Sequence, residues 1–88
     1  MSSRSAIKNF TVFELVNERL QEIYVGRTSE MIFMLQDRRH PAPQIAHWKA
    51  ADVRPPRSIE FNLDEREADR FIDGYVATPL PDGWRFVK

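Results

Sequence analysis

The apolar positions of the first third of the chain fall in two short runs separated by polar residues. Phe10 to Val16 are mostly β-branched or aromatic, Asn17-Glu18-Arg19 makes a tight connection, and Ile23 to Val25 resumes the apolar run. This pattern predicts a β-hairpin of strands 10–17 and 21–26. Ser29 can cap a following helix in which Met31, Ile32 and Leu35, joined by Phe33 and Met34, cover more than one face, so half or more of it is expected to be buried. His40-Pro41-Ala42-Pro43 breaks that helix, because Pro41 disfavours a helical His40 and Pro43 suits a new start. Gln44 to Ala51 is expected to form a short second helix anchored by Ile45 and Trp48. After the stiff spacer Arg54-Pro55-Pro56-Arg57, residues 58–61 alternate as a third strand. Asp64 is placed to cap the amide of Glu67 while Glu67 reaches back, with Leu63 stapled onto Ala68. Ala68, Phe71, Ile72, Tyr75 and Val76 then repeat at the spacing of a helix face turned toward a sheet. Gly74, costing about 1 kcal/mol inside a helix, marks an early end, and Pro79 and Pro81 stop the helix before Pro81-Asp82-Gly83 turns the chain toward Trp84-Arg85-Phe86-Val87. The expected architecture is α+β: a small three-stranded antiparallel sheet flanked by helices, in the order ββααβα.

Composition narrows the class. The 88 residues make one domain, 1–88, with a flexible start at 1–8. Without cysteine there is neither a disulfide nor a thiolate zinc site, so packing must supply the stability and a reducing, cytoplasmic setting fits. The opening Met1-Ser2-Ser3-Arg4-Ser5-Ala6 lacks an export core, and no apolar run reaches membrane-spanning length. His40 and His47 stand seven apart across a proline break with no acid at ligand spacing, which argues against a metal site. No serine sits in a nucleophile-elbow context, and three glycines do not build a phosphate-cradling loop. Trp48 and Trp84 read as core or rim aromatics.

Thirteen basic and thirteen acidic side chains cancel, which argues against a strong generic polyanion binder. The charge is unevenly placed, however. Residues 1–57 hold nine Lys/Arg against six Asp/Glu and residues 58–88 four against seven, giving +3 and −3. A local basic group of Arg27, Arg38, Arg39, His40 and Lys49 beside Tyr24 could contact DNA or RNA weakly, in a manner that falls steeply with salt.

Tyr24-Val25-Gly26-Arg27-Thr28, preceded by the strand Phe10–Asn17 and followed by a capped helix, resembles the core of the GIY-YIG nuclease superfamily. The element order extends the resemblance over about residues 10–78. It implies an aromatic from each strand placed side by side where these nucleases bind a phosphodiester. In the family a tyrosine from each motif and an arginine on the next helix position water and phosphate. A glutamate on the later helix holds a divalent cation such as magnesium. Here Tyr24 keeps the second tyrosine, but Phe13, Met34 and Ile72 occupy the places of the first tyrosine, the arginine and the glutamate. The resemblance therefore implies a catalytically degenerate domain without a cofactor, acting as a weak nucleic-acid-binding module or a protein-interaction module. The alternative it leaves open is a metal-dependent DNA endonuclease in which Tyr24, Arg38 and a carboxylate such as Asp69 or Asp73 carry relocated roles, with magnesium as the cation.

Overall fold

A computed structural model describes residues 8–29 and 43–87. Strand β1 (Phe10–Asn17) turns back into β2 (Glu22–Thr28), β3 (Arg57–Leu63) lies on the other side of β1, and a two-residue β4 (Arg85–Phe86) flanks β2, giving the sheet order β3-β1-β2-β4. One helix among the described residues, α1 (Glu65–Tyr75), connects β3 toward β4. The class is α+β, as the pattern of the chain implies. The sheet differs from the expected one: it has four strands and is mixed, because β4 pairs parallel to β2.

β4 escapes a pattern reading because two residues carry no period. What holds it is specific bonding. The amides of Arg85 and Val87 donate to the carbonyls of Gln21 and Ile23 at 3.1 and 2.9 Å. The hairpin is registered with Phe13 opposite Gly26, Leu15 opposite Tyr24 and Asn17 opposite Glu22. Its connection occupies residues 18–21. There the Asn17 side-chain oxygen accepts the Leu20 amide at 3.0 Å, and Gln21 takes a positive φ of 55°.

Alternation along β1 assigns the two faces of the sheet. Phe13 and Leu15 enter one cluster with Ile45, Trp48 and Val53, edged by Tyr24 and Val87. Val12 enters the other with Val25 and Ala68, where Ile59, Leu63, Phe71, Ile72 and Tyr75 join. The start of α1 is as its sequence predicts. The Asp64 side chain accepts the Glu67 amide at 2.7 Å and the Glu67 side chain accepts the Asp64 amide at 3.0 Å, while Leu63 packs in the cluster of Ala68. The helix ends at Tyr75, one residue past Gly74.

The second expected helix, Gln44–Ala51, is replaced by two 3-10 turns, Pro43–Ile45 and Ala50–Asp52. The physical reason lies between them. Chain opened over residues 46–49 lets both His47 and Trp48 reach the same carboxylate of β2, which adjacent positions on a regular helix, some 100° apart, would not do. Ile45 and Trp48 remain the buried anchors of the segment. The first expected helix, with Met34, Arg38, Arg39 and His40, lies outside the described residues.

Candidate ligand-binding cleft

The pairing of Phe13 with Gly26 and Leu15 with Tyr24 brings the two strand aromatics together, their ring centroids 6.2 Å apart and the planes tilted by 57°. Phe13 is fully buried and Tyr24 partly so. Gly26 makes this packing possible. It lies inside β2 rather than at a turn, and a β-carbon there would stand 2.8 Å from Tyr24 Cε2 and 3.0 Å from Phe13 Cζ. The glycine of the Tyr-x-Gly run is thus required for close approach of the rings, not for a left-handed backbone. Burial pushes the Tyr24 hydroxyl above its ordinary range, with the charge of Arg27 pulling the other way. At neutral pH it is a neutral hydrogen-bonding group, not a phenolate.

Next to this aromatic pair a cleft of about 470 Å³ opens between β2, the end of α1 and the chain after β4; Tyr24, Val25, Ile72, Asp73, Val76 and Val87 are among its lining residues. Its size suits one side chain or a small ligand. Two of the residues singled out in the sequence, Tyr24 and Asp73, meet here, and so does Ile72. Ile72 also packs in the helix-side cluster, so its aliphatic chain serves the core as well as the cleft wall.

Arg27, a member of the basic group named from the sequence, is engaged within the fold. Its guanidinium donates to Asp69 at 2.7 Å, lies 3.1 Å from Glu65, and stacks 5.2 Å over the Phe10 ring. Two carboxylates of α1 therefore answer its charge. Lys49 is exposed between the two 3-10 turns and makes no ion pair among the described residues. Among the described residues, no three His, Asp or Glu side chains are grouped as metal ligands would be.

Two acidic side chains that the pattern reading passed over are buried in the sheet. Glu22 is 1% exposed, and one of its oxygens accepts Trp48 Nε1 at 2.7 Å and lies 2.8 Å from His47 Nε2. Its other oxygen accepts Arg85 Nε at 2.9 Å and also Nη2. Burial by itself would raise the carboxyl; the hydrogen bonds of Trp48, Arg85 and His47 and the arginine charge outweigh it and bring it down to about 2. On the opposite face Glu14 accepts Arg57 Nε at 2.8 Å and the Tyr75 hydroxyl at 3.1 Å. The signal for both was a carboxylate at an inward-facing strand position, where a partner is obligatory.

No family model, curated protein or solved structure matches the chain. No described helix is long and apolar enough to cross a membrane.

Proposed function

We propose that the chain is a GIY-YIG-like domain that has lost catalysis and acts as a protein-interaction module. The observation that carries this reading is the packing of Phe13. The ring at the place of the first catalytic tyrosine is fully buried against Tyr24 and over Gly26, and it carries no hydroxyl. The aliphatic Ile72 at the place of the metal-holding glutamate supports the same conclusion. The engagement of Arg27 by Asp69 and Glu65 favours a protein partner over nucleic acid, because its charge is already answered.

A second reading, a rebuilt endonuclease, draws on one observation: Tyr24 and Asp73 line the same cleft. The purified chain incubated with supercoiled plasmid and a four-way junction in magnesium or manganese separates the two. No nicking is expected. Metal-dependent nicking that disappears in Tyr24→Phe or Asp73→Asn would establish the enzyme. Binding of a labelled single strand or junction is expected to be absent or weaker than micromolar at low salt; tight binding lost on Arg38→Ala with Arg39→Ala would make nucleic acid the ligand.

A further inference from the structure

We infer that the cleft beside Tyr24 receives a lysine or arginine side chain presented by a partner protein. This rests on the interaction reading and names what that interaction grips. The charge of the site comes first. Asp73 is exposed at the cleft and forms no ion pair among the described residues. It also sits in the last turn of α1, which contains no basic residue. In that turn the carbonyls of Ile72, Gly74 and Tyr75 accept the amides of Val76, Ala77 and Thr78, and among the described residues no such cap bond reaches the carbonyl of Asp73. The negative end of the helix and a carboxylate therefore coincide, and both favour a cation.

The walls supply the rest. Among the described residues no cation lines the cleft, so none of them competes for Asp73. Ile72, Val76, Val25 and Val87 offer apolar surface along which an aliphatic stem can lie while its charged head stays at the wet, acidic rim. Tyr24 adds an aromatic ring to the lining, and the face of such a ring attracts a cation. A phosphodiester would meet the opposite situation, a carboxylate and a helix carboxyl end.

The test uses two probes with the same apolar body and opposite charge, acetyl-Leu-Lys-Leu-amide and acetyl-Leu-Glu-Leu-amide, titrated into the full isotopically labelled chain. The lysine peptide is expected to shift the amide resonances of Ile72, Asp73, Val76 and Ala77, and the glutamate peptide to leave them in place. Asp73→Asn, a surface change that leaves the core intact, should weaken the lysine peptide about threefold, whereas Asp82→Asn should not. Equal shifts from both peptides, no shift at millimolar lysine peptide, or an unchanged titration in Asp73→Asn would each overturn the proposal. A chain that nicks DNA fails the interaction reading whatever the peptides do. A chain that neither nicks nor responds to the lysine peptide keeps that reading and loses the cleft.

Discussion

Glu22 concentrates the energetics of the fold in one side chain. A carboxylate 1% exposed stays charged only because Trp48, His47 and Arg85 converge on it from two separate segments. Its carboxyl lies at about 2 in the folded chain against an ordinary 4.5, so the folded state binds this proton less readily than the unfolded one. The stabilisation is complete above the unfolded value and is lost as pH falls from about 4.5 toward 2. Its size is on the order of 3 kcal/mol. Urea denaturation should therefore show the wild-type midpoint falling between pH 5 and pH 2.5, and Glu22→Gln should flatten that part of the profile while lowering the midpoint at pH 7. A wild-type profile no steeper than that of Glu22→Gln would show that the carboxylate contributes no such linkage. Gly26 is constrained just as tightly. A methyl group there must displace the Tyr24 and Phe13 rings, so Gly26→Ala should cost about 1–3 kcal/mol in the same measurement.

At the scale of elements, α1 is the clearest case of local sequence deciding local structure. Both arms of its capping box are formed, and Asp64→Ala should cost about 1 kcal/mol, with the loss read in helical circular dichroism as well as in the urea midpoint. The hairpin and α1 were legible because each carries its own period and its own stop signals within a few residues. The segment after Pro43 was not. Its spacing of Ile45 and Trp48 fits a helix, but tertiary demand from Glu22 outweighs the spacing and opens the chain at His47. His47, within the expected second helix, is a partner of a buried acid. β4 was illegible for a related reason: it exists through the Gln21 and Ile23 carbonyls and the Arg85–Glu22 pair, all contacts far apart in sequence. Of the candidate site, Tyr24 and Asp73 could be named from the sequence and do share a cleft, while the pairing of Arg27 with Asp69 and Glu65 depends on how α1 packs against β2, which no spacing within either element reveals.

The molecule as a whole is organised around β1. That strand is bonded on both edges, to β2 and to β3, and its alternate residues feed both apolar clusters, Phe13 and Leu15 on the side of the 3-10 turns and Val12 on the side of α1. Neither cluster is large, and in a chain of 88 residues neither would persist alone. Damage on one face must therefore be felt on the other, through β1 and through β2, which also contributes Tyr24 to one cluster and Val25 to the other. Leu15 gives the sharpest test, since it is fully buried on the face away from the helix. Leu15→Ala should destabilise by about 3 kcal/mol. In a Trp84→Phe background, fluorescence of Trp48, which reports the cluster containing Leu15, and helical circular dichroism, which reports α1 on the opposite face, should shift to lower urea by the same amount and remain superimposable. Separation of the two curves, with the helical signal unmoved, would mean that the faces are held independently and that β1 does not couple them.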